Sequence, residues 1–180
     1  ALVHAGQLHL GENRVEEALS KQASWSAQSQ EAVHWHFIGH LQSRKTRLVL
    51  PLVSLIHSVG SLSVVGEIEK RAAQVTDVLL EVNIGGEASK SGVALTEVDR
   101  FLEAAAAYPK VRFTGLMCMP PLFDDAEDAR PFFSRTRELA ERLSTTWSGT
   151  YTFEQLSMGT SADYEVAVRE GATIIRVGSV

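Results

Sequence analysis

The sequence predicts an α/β protein of repeating strand–helix units around a parallel sheet. Three observations predict it. Short runs rich in Val, Ile, Leu and Phe alternate with longer runs of 3.6-residue periodicity. The alternation is strict, and parallel strands need crossovers, which helices supply. Several strand runs are almost continuously apolar, among them Val78-Leu79-Leu80-Glu81-Val82 and Thr173-Ile174-Ile175-Arg176-Val177. That is the pattern of strands covered on both faces.

In chain order, residues 1–6 read as the last turn of a helix, with Gly6 as its stop. Strands follow at 8–11, 35–39, 55–59, 77–84, 111–119, 154–158 and 173–178. Between them, helical periodicity covers 14–26, 43–49, 62–74, 95–108, 126–147 and 162–170. This repeat permits a doubly wound open sheet or a barrel, and its seven units come close to the eight of a (β/α)8 barrel. No linker, low-complexity tract or composition break interrupts it, so residues 1–180 form one expected domain. Both ends read as cut: the first residues lack the rest of a helix, and the last strand lacks a covering helix. Strands without neighbours leave open edges.

Composition narrows the class. With 180 residues and 44% hydrophobic residues, the chain can bury one good core. No apolar run is long enough to span a membrane, and the first residues lack the basic start and apolar core of a signal peptide. The lone cysteine, Cys118, excludes an internal disulfide and suits a reducing, cytoplasmic setting. The net charge of -5 argues against nucleic acid as the main partner.

The strongest chemical signal lies near the C-terminus. Leu156-Ser157-Met158-Gly159-Thr160-Ser161-Ala162-Asp163 runs from a strand into a helix, with glycine and hydroxyl residues at the junction. Backbone N–H groups there suit an anion, although Ser161 or Asp163 can equally serve as the helix N-cap. One unit later, Arg176-Val177-Gly178-Ser179 ends the next strand with the same chemistry. Eight-stranded barrels commonly hold phosphate at the loops after their last two strands. Arg176 sits in an apolar strand, where a cation needs a partner: a ligand's ring or oxyanion, or a structural carboxylate.

Other positions carry weaker signals. Asn13, after the first strand, can meet a ligand or cap the following helix. His34, His36 and His40 raise a metal reading, but no carboxylate or cysteine completes a site, so no metal is expected. The basic run Ser43-Arg44-Lys45-Thr46-Arg47 reads as an anion contact or, more simply, a solvated face. Asn83, Lys90, Ser91 and Gly92 fall on the ligand side of a barrel. Cys118 reads as inert packing.

These residues carry a resemblance. Gly11-Glu12-Asn13-Arg14-Val15-Glu16-Glu17 and Trp35-His36-Phe37-Ile38-Gly39-His40-Leu41-Gln42-Ser43 resemble segments of the pyridoxal phosphate homeostasis protein family, the YggS/PROSC group. So do Val82-Asn83-Ile84 with Ser89-Lys90-Ser91-Gly92, then Gly115-Leu116-Met117, then residues 156–163, then Arg176-Val177-Gly178-Ser179. They occur in the family's order along essentially the whole chain. The resemblance implies an alanine-racemase-like (β/α)8 TIM-type barrel, here lacking the first strand and the final helix. It implies binding of pyridoxal 5'-phosphate (PLP), a role in buffering or delivering PLP, and no established turnover. Ser161, Gly178 and Ser179 would hold the phosphate with backbone near Gly159 and Thr160, beside Ser157, and Arg176 would face the pyridine nitrogen. An arginine there keeps that nitrogen unprotonated and weakens the ring as an electron sink. Partners implied are PLP and PLP-dependent apoenzymes, for a monomer without nucleic-acid or membrane contacts.

Several departures stand out. The family's Schiff-base lysine belongs to a strand before residue 1. Lys21, Lys45, Lys70, Lys90 and Lys110 match no such position. Arg44 stands where asparagine is common, and Thr160 where methionine is common. Seven strands cannot close an eight-stranded barrel without a change of tilt and stagger. The chain is therefore expected to be a fragment whose edges at 8–11 and 173–178 face a gap. Two rivals remain. A racemase on this barrel needs an acid–base tyrosine opposite the lysine, and Tyr108, Tyr151 and Tyr164 lie in or beside helices. A phosphosugar enzyme needs a catalytic set, for which only Glu12, His40 and Glu81 are candidates.

Overall fold

The computed structural model describes residues 3–24, 33–87 and 91–178, the side chain of His4 excepted. A 3-10 turn at Val3–Ala5 ends at Gly6, whose N–H donates to the Val3 carbonyl. Strand β1 (His9–Glu12) leads into helix α1 (Val15–Ala23), then β2 (His34–Phe37) and the short α2 (Thr46–Val49). Strand β3 (Leu55–Val59), α3 (Leu62–Arg71) and β4 (Thr76–Asn83) follow. After a two-residue strand β5 (Val93–Ala94) come α4 (Val98–Ala105), β6 (Val111–Cys118) and α5 (Arg130–Thr146). The described chain closes with β7 (Gln155–Thr160), α6 (Tyr164–Arg169) and β8 (Ile174–Arg176).

All seven expected strands form, and every pairing is parallel in the order β1-β2-β3-β4-β6-β7-β8, with β5 added on β4. The helices are shorter than their periodicity suggests. Three of them begin as 3-10 turns, at Ser43–Lys45, Leu95–Glu97 and Ala126–Ala129. In α5, Pro131 lies in the first turn, where its missing N–H has no partner to lose. The strand at 154–158 extends instead to Thr160, and α6 starts correspondingly late.

Burial separates the two faces of this sheet. The larger core lies between strands and helices and includes Phe37, Ile56, Ile68, Leu102, Phe113, Phe133 and Leu143. A second, smaller cluster joins Leu55, Leu79 and Met117 with the half-buried Ile174. These four side chains come from β3, β4, β6 and β8, strands distributed along the sheet order, and they meet because the sheet curls on itself. A layer of four side chains inside a ring of parallel strands is how a (β/α) barrel fills its interior. The seven strands thus form a nearly closed barrel. Among the described residues, β1 and β8 share no ladder hydrogen bonds.

Candidate functional site

Above the apolar layer, the inner strand faces turn polar. Arg176, the last residue of β8, extends its half-buried guanidinium across the strand ends. Its Nη1 donates to Ser157 Oγ at 2.6 Å, and its Nη2 to the Cys118 carbonyl at 2.9 Å and to Met119 Sδ at 2.8 Å. Every one of these partners is neutral. Among the described residues, no carboxylate pairs with it; Glu81 and Asp163 act on it only at longer range. Burial therefore weakens its hold on its proton relative to a free guanidinium. The structural ion pair weighed from the sequence does not form among the described residues.

Ser157 is fully buried and has a second partner, His57 Nδ1 at 2.8 Å. From His57 the polar line continues through Nε2 to His36 Nδ1 at 2.8 Å, and from His36 Nε2 to His9 Nδ1 at 3.0 Å. Burial is the main cause that pushes His57 down to about 3 and His36 to about 4. Neighbouring positive charge adds to it: His36 and Arg176 for His57, His9 and His34 for His36. Both histidines are neutral in the folded protein near neutral pH but titrate near ~6.5 when unfolded. Their folded pKa is depressed, so the unfolded chain binds more protons and stability falls as pH drops below that value. Lowering pH from 7 to 5 is expected to remove about 1–2 kcal/mol per histidine. Urea midpoints at the two pH values check this, and His57→Gln should reduce the difference by about half.

The glycine and hydroxyl corner forms at the ends of β7 and β8. Gly178 N–H donates to Ser161 Oγ at 3.2 Å, joining the two strand ends, and Thr160 stands in register with Arg176. Gly159 is needed at the turn: its φ is +90°, and an added Cβ would lie 2.6 Å from Ala167 Cβ. Asp163 occupies the N-cap position of α6 without capping it. Its carboxylate instead accepts from Thr160 N at 2.6 Å and Thr160 Oγ1 at 3.0 Å. The Thr160 hydroxyl is thus engaged inside the loop. Ser179 lies outside the described residues.

Asn13 is exposed after β1, and α1 has no side-chain cap. The backbone of Asn13 packs so closely on Gly39 that a Cβ there would sit 2.1 Å from its carbonyl oxygen. The remaining candidates separate. Glu12 is buried against α1 and paired with Lys21, and His40 is exposed, so neither joins Glu81, which accepts from Ser91 Oγ. Asn83 Nδ2 donates to the Glu87 carbonyl at 2.7 Å. Lys45 pairs with Glu16, and Lys110 Nζ donates to the Ala72 carbonyl. Lys90 lies outside the described residues. Tyr151 packs edge-on against Phe113 in the outer core. Burial pushes the Cys118 thiol up to about 11, which fits inert packing. His34 stacks on His9 rather than assembling with His36 and His40. Among the described residues, no cluster of three or more His, Cys, Asp or Glu can hold a metal.

Sequence reading missed His9 and His57. The signal for His57 was available: a histidine at the centre of a short run rich in Leu, Ile and Val needs a partner once that run is buried.

Fold and corner together define a parallel α/β barrel protein with a candidate ligand site at the C-terminal ends of its strands. The chain belongs to the alanine racemase N-terminal domain family, whose profile matches residues 1–180. It is 42% identical over 173 residues to the pyridoxal phosphate homeostasis protein of Aquifex aeolicus (strain VF5), covering 94% of this chain and 74% of that protein. Among solved structures it resembles PipY of Synechococcus elongatus PCC7942. The form without PLP has a TM-score of 0.89 at 34% identity, and the form with PLP bound 0.86 at 32%. Each match covers 98% of this chain and 82% of PipY.

Proposed function

We propose that this chain binds PLP at the β7–β8 corner and serves PLP homeostasis in the cytoplasm, without turnover of its own. The observation that carries the reading is the Ser161–Gly178 junction beside Arg176, a cation whose partners among the described residues are all neutral. Ser161, with backbone from Gly159 to Ser161 and at Gly178 and Ser179, would hold the phosphate. Arg176 on Ser157 would face the ring nitrogen, and Asn13 would stand at the rim. PLP supplies an aldehyde and an electron-accepting ring. The arginine favours an unprotonated ring nitrogen, which suits storage and delivery better than catalysis. Proposed partners are PLP-dependent apoenzymes, met by a monomer. Similarity to a PLP-bound PipY supports the ligand. Among the described residues, no helix is long and apolar enough to cross a membrane. Nothing in the geometry favours the racemase or phosphosugar readings, because the tyrosines and the Glu12, His40 and Glu81 set do not converge.

Equilibrium dialysis against PLP, pyridoxal and inorganic phosphate tests this. PLP should be retained more tightly than pyridoxal and displaced by phosphate, and Ser161→Ala should weaken retention about tenfold. Equal retention of PLP and pyridoxal would remove the phosphate corner from the assignment.

A further inference from the structure

The line His9–His36–His57–Ser157–Arg176 crosses five strands and ends at the candidate site. Its use there rests on the PLP reading, but its chemistry does not. Arg176 only donates, so Ser157 Oγ accepts at that end. The serine has one proton, and it has two places to go.

In one arrangement Ser157 donates to His57 Nδ1. Each histidine then carries its proton on Nε2: His57 donates to His36 Nδ1, and His36 to His9 Nδ1. All links point outward from Arg176, and donors polarised in one direction reinforce one another. In the other arrangement His9 Nδ1–H donates to His36 Nε2. His36 Nδ1–H then donates to His57 Nε2, and His57 Nδ1–H to Ser157. Ser157 now accepts twice, and its own proton is free for a ligand. A neutral His9 allows the first arrangement. A protonated His9 has no acceptor nitrogen and enforces the second.

We propose that His9, His36 and His57 form a hydrogen-bond wire whose direction is set by protonation of the exposed His9 and delivered to the Ser157 hydroxyl. The inner members are suited to relay rather than hold charge. His57 is buried and faces His36, Ser157 and Arg176, while His36 is flanked by His9, His34 and His57. At the far end, the Arg176 guanidinium carries N–H groups and no acceptor, so that end of the wire stays a donor. His34, stacked 4.9 Å from His9, is a further titratable ring at the entrance.

Long-range 1H–15N spectra of histidine-labelled protein assign each ring's tautomer across pH 5–8. His36 and His57 should change together from Nε2–H to Nδ1–H as the pH is lowered through that range. In His9→Gln, an exposed change that leaves the core intact, both should keep one tautomer throughout. Tautomers that stay fixed in the unaltered chain, or that switch equally in His9→Gln, would overturn the wire. PLP retention measured on the same samples decides the functional reading separately.

Discussion

Alanine at position 159 is expected to destabilise the fold by about 2–5 kcal/mol and to weaken PLP retention more than tenfold. Two independent effects add. The φ of +90° at Gly159 is a conformation that L-residues adopt at about 1–2 kcal/mol. The new methyl would also lie 2.6 Å from Ala167 Cβ and 3.0 Å from Tyr164 Cα, and overpacking of this kind costs about 1–3 kcal/mol. Both opposing atoms belong to α6, one of them backbone, so the helix must move outward. That movement takes Asp163 away from Thr160 and Ser161 away from Gly178, opening the corner. Gly86→Ala separates the effects. Its φ is +70°, but nothing lies within 4 Å of its added Cβ, so only the backbone strain of about 1–2 kcal/mol should appear. Urea midpoints and dialysis of both variants give the comparison. Equal losses in Gly159→Ala and Gly86→Ala would mean that the close approach of α6 to β7 does not hold the corner.

The fold was legible because its determinants are local. Apolar runs marked every long strand, and β3 at Leu55–Val59 has the expected bounds. What local pattern does not show is where tertiary contacts cut an element. Val93–Ala94 is a strand only because the end of β4, at Val82 and Asn83 beyond its pairing with β3, accepts it; two residues carry no periodicity. Helix α6 is short because Asp163 turns back to Thr160, a side-chain competition with the helix that composition does not display. The bulge at Thr114, where the register against β4 jumps from Phe113 to Gly115, likewise leaves no mark in the apolar pattern.

The candidate site divides along the same line. Ser161, Gly178 and Arg176 were readable because glycine, hydroxyl and an out-of-place cation at adjacent strand ends are a chemical pattern in one short stretch. The histidine line was not, since its links join residues 27, 21 and 100 positions apart, and only barrel curvature brings them together. Thr160 stands in that same stretch, yet both its donors turn to Asp163. Spacing in sequence gives the ends of strands; it does not give which neighbour takes a side chain's hydrogen bond.

Arg176→Met should weaken PLP retention about 10–100-fold while leaving the unliganded fold as stable as before, or more so. The signs differ because the two roles of the residue differ. In the unliganded protein the guanidinium is half-buried, and its partners among the described residues are Ser157, the Cys118 carbonyl and Met119. Moving an ion out of water carries a penalty of several kcal/mol unless an opposite charge offsets it. Methionine has similar length, fills the same space and removes that penalty. It leaves the Cys118 carbonyl without its guanidinium donor, at about 1–3 kcal/mol, while Ser157 keeps His57. With PLP bound, the same cation gains an acceptor, and a hydrogen bond from a charged group contributes about 1.5–3 kcal/mol. An arginine kept for structure would give the opposite signature: urea midpoint and PLP retention would fall together in Arg176→Met. A residue that holds a ligand at some expense to the empty fold is the expected mark of a binding site, and this variant distinguishes the two outcomes in one pair of measurements.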